Sequence, residues 1–355
     1  MGGDQFGVVV IGADVDDAAL VAERLVAALA RPFEIRSQTI TVAASVGIAL
    51  TGHDSTVTTL LRQADVAMYS AKRRRSGIAI FTRNEDHRAL DRLMMASALP
   101  GAIANDELVL HYQPQIQMAT GAIKGVEALV RWQHPERGLL YPDMFLPLAE
   151  EIGMMDRVTD WVLRTAIRQL KRWNRNGWTL RVAVNVSAQD LRDGRLAETI
   201  SRLVSLYGID PGQLCLELTE TIMTTDAERA GGMLRELSHT GIRISIDDFG
   251  TGYSSLAHIK QFPANELKID KQFVIGMAGD RDDAAIVSST IELAHRLGLD
   301  VVVEGVENDA AYDATARLGS ELAQGFGISH PLTAEEFETW RADYDTRRLG
   351  DAASA

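Results

Sequence analysis

The chain has 355 residues, 46% hydrophobic and 24% charged, with a formal net charge of −13. That is soluble globular composition with room for one large domain or two, and the acidic balance disfavours a nucleic-acid polymer or an anionic membrane as partner. No stretch approaches the roughly 18 consecutive apolar residues of a membrane span, the start at Met1, Gly2, Gly3 and Asp4 has no signal-peptide pattern, and the single Cys215 excludes a disulfide framework and a cysteine-based zinc site, so a reducing, cytoplasmic setting is expected.

Residues 6–12 (FGVVVIG) read as a strand, 14–30 as a helix with an acidic first turn, and 40–50 (ITVAASVGIAL) as a second strand. An amphipathic helix follows at 55–75, with Ser55 as its expected N-cap. A short strand at 78–82 closes an α/β segment assigned to residues 1–83. This segment begins inside a strand pattern. Residues 84–106 are polar and helix-prone, which suits a connecting helix.

From residue 107 the pattern becomes a regular alternation of short strands and longer helices. Strands are predicted at 108–117, 123–133, 180–187, 214–220, 243–248, 266–270, 300–307 and 322–329. Helices at 156–176, 190–207, 226–240, 281–297 and 309–318 separate most of them. Eight strands over 107–345 fit a (β/α)8 barrel of the TIM type. An open doubly wound sheet is the competing architecture, but it usually carries a glycine-rich phosphate turn that is not seen here. Residues 346–355 read as a disordered tail.

Nearly every barrel strand carries a polar residue near its end. These are Glu127, with Leu129 and Arg131 on its face; Asn185 with Ser187; Glu217, with Glu220 on the other parity; and the Asp247–Asp248 pair. Lys268 and Asp270, Glu304 and Glu307, and Gln324 complete the set. A single acid at a strand end is usually solvated, capping or paired. Many acids converging on one mouth repel one another, and divalent cations resolve the conflict. The donors are all oxygen, which favours Mg²⁺ or Mn²⁺, with Ca²⁺ as an inert relative, over Zn²⁺. Bridging carboxylates suit two ions ~3.5–4 Å apart, the arrangement for in-line displacement at phosphorus. The aspartate doublet poses a problem, because adjacent residues on a regular strand face opposite sides. The glycines at 250 and 252 permit a sharp bend there.

At these residues the sequence resembles the EAL family of cyclic di-GMP phosphodiesterases. The name-giving motif is Glu127-Ala128-Leu129. Further motifs are NVS at 185–187, ELTE at 217–220, DDFGTGYSSL at 247–256, LKID at 267–270, EGVE at 304–307 and QGF at 324–326. The resemblance covers about residues 90–340 and implies a barrel whose first strand is antiparallel. It implies that Glu127, Asn185, Glu217 and Asp247 hold a first metal ion, and that Asp247 bridges to a second beside Asp248 and Glu304. Lys268 would orient the attacking water, with Glu304 or an aspartate as base. Arg131 would contact substrate, with Leu129, Gln324 and Asp270 at the substrate edge. Glu220 and Glu307 would anchor the loop after DDFG. Hydrolysis of cyclic di-GMP to linear pGpG is the implied activity, with Ca²⁺ inhibitory and a homodimer through the barrel. The final motif departs from the family, with Phe326 where tyrosine is common and Gly327 where a larger residue is common. That departure is expected to loosen the wall around the base.

A catalytically silent receptor for cyclic di-GMP is the alternative, and an unrelated metal-dependent lyase or isomerase barrel is a third reading that leaves the ordered motifs unexplained. At the start of the chain, GGDQF at 2–6 resembles the signature of GGDEF diguanylate cyclases, with Gln5 in place of glutamate. The resemblance implies a partial domain without its N-terminal half, and no cyclase activity.

Overall fold

The computed structural model describes residues 6–35, 38–52, 55–74, 76–192, 194–220, 222, 227–250, 262–277 and 279–354. The chain forms two compact units, Met1–Ser97 and Ala98–Ala355.

In the first unit, helix α1 (Val15–Leu29) starts at Asp14, whose carboxylate accepts the N–H groups of Asp16 and Asp17. Strands β1 (Phe33–Ile35) and β2 (Gln38–Ile40) pair antiparallel. Strand β3 (Val46–Ile48) pairs parallel with β4 (Ile78–Ile80), joined by helix α2 (Val57–Arg74). Three expectations change here. Residues 6–10 join no sheet among the described residues, and the run 40–50 divides between β2 and β3. Thr56, not Ser55, caps α2: its Oγ1 accepts the Thr59 N–H at 3.1 Å, while Ser55 Oγ accepts from Gly52 at 2.7 Å. The GGDQF signature lies largely outside the described residues. Helix α3 (Arg83–Ala104) occupies the segment expected to connect.

The second unit is a closed barrel. Its strands are β5 (Leu108–Gln117), β6 (Ile123–His134), β8 (Arg181–Asn185), β9 (Leu214–Thr219), β10 (Arg243–Phe249), β11 (Glu266–Ile269), β12 (Asp300–Val303) and β13 (Leu322–Ala323). Strand β5 is antiparallel to both β6 and β13 and closes the ring, as expected for the first strand. The remaining neighbours run parallel. A hairpin strand, β7 (Gly138–Leu140), adds to β6 outside the ring. Helices α4 (Pro142–Glu151), α5 (Met155–Arg175), α6 (Arg195–Tyr207), α7 (Ala227–His239), α8 (Lys271–Gly276), α9 (Arg281–Arg296) and α10 (Asp309–Leu318) intervene.

Alternation decides what each strand buries. Leu108, Leu110 and Tyr112 of β5 are buried on one face, and the Tyr112 ring meets Trp173 of α5 edge-on at 4.9 Å. The opposite face carries His111, Gln113 and Gln115. The last helix, α11 (Ala334–Ser354), runs through most of the expected tail. Its extension has partners: Tyr344 Oη donates to the Gly121 carbonyl at 2.9 Å and Arg348 to that of Thr120 at 3.3 Å.

The turn after β13 is tighter than the sequence implies. Val306 N–H donates to the Gln324 carbonyl and Gly327 N–H to that of Val306. A Cβ on Gly327 would stand 2.6 Å from the Glu307 carbonyl carbon. Glycine here permits close backbone approach and does not open a wall. Gly327→Ala is expected to cost about 1–3 kcal/mol through overpacking, read as a lower midpoint in urea unfolding.

Candidate metal and active site

The site lies at the carboxyl ends of the parallel strands, around Lys268. This lysine on β11 is fully buried. Its Nζ lies 2.7 Å from Glu304 Oε1, 3.1 Å from Glu217 Oε2, 3.2 Å from Asp247 Oδ1 and 3.4 Å from Glu127 Oε2. Register accounts for the convergence. Glu127 of β6 stands opposite Ala183 of β8, so Asn185 projects from the same face one step further. Asn185 pairs with Glu217, Glu217 with Ser245, and Asp247 follows two residues on. Glu304 follows β12 directly, its N–H bonded to the Ile269 carbonyl.

The aspartate doublet fits one site because β10 bulges. Ile246 pairs with Leu267 and Phe249 with Ile269, so Asp247 and Asp248 together oppose the single Lys268. Asp248 takes the bend in the left-handed region, φ 55°. Its N–H donates to Asp247 Oδ1 at 3.0 Å. Asp247, Asp248 and Glu304 offer oxygens within 4.8 Å of one another.

Electrostatics mark the site as short of positive charge. Burial alone would lower the Lys268 pKa, but Asp247, Glu127, Glu217 and Glu304 hold it well above the usual value. Burial, with Glu127 beside it, pushes Glu217 well up. Burial pushes Glu304 up to about 7 against the pull of Lys268. Burial, then Asp247 and Asp270, push Asp248 up to about 6. Burial would raise Glu127 too, but Lys268 and amide donors from Gln324 and Asn185 hold it below the usual range. Both Glu217 oxygens are buried without a hydrogen bond among the described residues. Five carboxylates around a single ammonium, with Glu217 ion-paired to Lys268 but making no hydrogen bond among the described residues, form a donor set that fits divalent cations.

Other sequence-predicted residues surround this centre. Gln324 is buried, and its Nε2 donates to Glu127 Oε2 at 2.6 Å. Asn185 Nδ2 donates to Glu127 Oε1 at 2.7 Å. The buried Arg131 lies over the exposed Tyr141 ring, 5.0 Å from its centroid, and donates to the Val130 carbonyl. Leu129 is half-buried on the same strand. Asp270 caps α8 through the Gln272 N–H at 2.8 Å. Glu220 accepts the Gly250 N–H at 3.1 Å, at the start of the loop it is expected to anchor. The rest of that loop, 251–261, lies outside the described residues. Glu307 is exposed.

Three contributors are absent from the sequence-based set. Gln113 and Gln115 reach Gln324 from β5 at 2.9 and 3.0 Å. The buried Asp190 accepts from the Ser187 N–H, Ser187 Oγ and Thr159 Oγ1, fixing the turn after Asn185. The alternation of HYQPQIQ places 111, 113 and 115 on one face and is the signal that points to the glutamines.

Fold and site together define a closed β/α barrel with a cluster of oxygen donors, able to hold metal ions, at the carboxyl ends of its strands. Residues 96–331 match the EAL domain family, and the chain belongs to it. Residues 1–77 match the diguanylate cyclase, GGDEF domain. A bifunctional diguanylate cyclase/cyclic di-GMP phosphodiesterase, MucR of Pseudomonas aeruginosa, is 41% identical over 341 residues, 95% of this chain and 50% of its own. Cyclic di-GMP phosphodiesterase PdeR of Escherichia coli is 36% identical over 97% of this chain and 52% of its own. The chain therefore spans about half the length of these curated relatives. The solved MucR phosphodiesterase, in complex with cyclic di-GMP, is 42% identical, covers 69% of this chain and 99% of its own, and superposes with a TM-score of 0.67. No helix among the described residues is long and apolar enough to cross a membrane.

Proposed function

We propose that the barrel hydrolyses cyclic di-GMP to linear pGpG. The observation that carries this reading is the buried Lys268 ammonium set among Glu127, Glu217, Asp247 and Glu304. Glu127, Asn185, Glu217 and Asp247 would hold one divalent ion, and Asp247, Asp248 and Glu304 a second. Bound Mg²⁺ or Mn²⁺ would lower the pKa of a water and stabilise charge on the phosphate oxygens. Lys268 would orient that water by hydrogen bonding, and Glu304 or an aspartate would accept its proton. Arg131, whose guanidinium carbon lies 5.0 Å from the Tyr141 ring centroid, would meet a phosphate or guanine. The water oxygen bonds to phosphorus as one ester P–O bond breaks, which opens the ring.

Cyclic di-GMP incubated with the purified chain and Mg²⁺ or Mn²⁺ should yield pGpG by chromatography, and Ca²⁺ should inhibit. Tight binding without turnover would establish the silent receptor instead. GTP should yield no cyclic di-GMP, because Gln5 stands where the GGDEF signature carries its glutamate. Accumulation of cyclic di-GMP from GTP would refute that expectation.

A further inference from the structure

Glu127 is held from two sides by amides, and one of these is set by a chain of hydrogen bonds. The Ser329 carbonyl can only accept, so Gln113 must turn its Nε2 toward it, and does so at 3.0 Å. Gln113 Oε1 then faces Gln324 and accepts its Nε2 at 2.9 Å. The second hydrogen of that same Nε2 goes to Glu127 Oε2 at 2.6 Å. Gln115 reinforces the direction, donating its Nε2 to Gln324 Oε1 at 3.0 Å. All three glutamines are buried, so water does not readily replace a lost partner. A flipped Gln324 would turn its carbonyl on the Glu127 carboxylate.

We propose that Gln113 is a positioning residue. It transmits the fixed polarity of the Ser329 carbonyl through Gln324, keeping the Glu127 carboxylate oriented for a metal ion. This rests on reading Glu127 as a metal ligand. The mechanism is that of partners behind a metal ligand, which typically govern 10–100-fold in metal affinity or activity.

The test is a double-mutant cycle on Mn²⁺ affinity of the full chain, measured by calorimetry. Gln113→Met, which keeps side-chain length and removes both polar atoms, is expected to weaken Mn²⁺ binding about 10-fold or more. In a Gln324→Ala background the same change should cost less than about twofold, because the route is already cut. Gln113→Leu, which likewise removes both polar atoms but with a different shape, should show the same loss. Independent, multiplicative losses in the cycle would overturn the proposal, as would unchanged affinity in Gln113→Met. If Gln113→Met does not fold, Gln113→Leu decides: unchanged affinity there overturns it. Glu127→Gln serves as the separate control. Mn²⁺ binding that ignores Glu127→Gln refutes the metal-ligand reading itself, whereas binding lost there but kept in Gln113→Met refutes only the role of Gln113.

Discussion

Lys268→Met should lower kcat for cyclic di-GMP hydrolysis by about 10²–10⁴-fold, the range for a group that assists proton transfer in the transition state. It should not weaken Mn²⁺ binding. The ammonium is fully buried and contacts four carboxylates. Without it, the acids keep their mutual repulsion and lose their internal cation. Breaking a buried ion pair by removing one partner costs about 3–5 kcal/mol, so the metal-free variant should melt at a lower temperature. Divalent ions then become the main compensating charge. Added Mn²⁺ should raise the Tm of the variant by more than it raises that of the wild type. Lost activity, retained metal binding and a larger metal-induced Tm shift form a signature that misfolding would not give. Wild-type turnover in the variant would remove Lys268 from the mechanism.

The sequence pattern announces the barrel because parallel strands buried on both faces read as short apolar runs separated by amphipathic helices. It announces the site because acids interrupt those runs near their ends. What it conceals follows from geometry. Gln113 and Gln115 do not stand out in a search of strand ends, because β5 runs antiparallel and presents its middle to Glu127 and Gln324. The apolar run at 6–10 satisfies every local criterion for a strand yet has no ladder among the described residues, since pairing depends on a neighbour the pattern cannot specify. Residues 346–354 look like a tail from their small residues, but α11 is tied down earlier by Tyr344 and Arg348 on the β5–β6 turn. Gly327 reads as a loss of bulk, whereas the backbone of Glu307 leaves no space for a side chain there.

The bulge at Asp247–Asp248 supplies the second large effect. Asp248→Gly should reduce Mn²⁺ stoichiometry from two ions to one, while Asp247→Asn should impair both sites, because Asp247 faces Lys268 and also neighbours Asp248 and Glu304. Two variants at 248 separate ligand loss from backbone strain. Asp248 sits at φ 55°, a region that glycine enters freely and that costs most other L-residues roughly 1–2 kcal/mol. Asp248→Gly should therefore lose one ion with metal-free stability at or near the wild-type value. Burial, Asp247 and Asp270 already disfavour the Asp248 carboxylate there, so its removal relieves repulsion that offsets the added chain entropy of glycine. Asp248→Ala should lose the same ion and also unfold at lower urea, by the cost of its left-handed φ. Equal stability of the two variants would mean that the bend relaxes when the carboxylate is gone. Two ions bound at unchanged affinity in Asp248→Gly would place the second metal elsewhere, and the extra residue in β10 would then serve only to turn the strand into its loop.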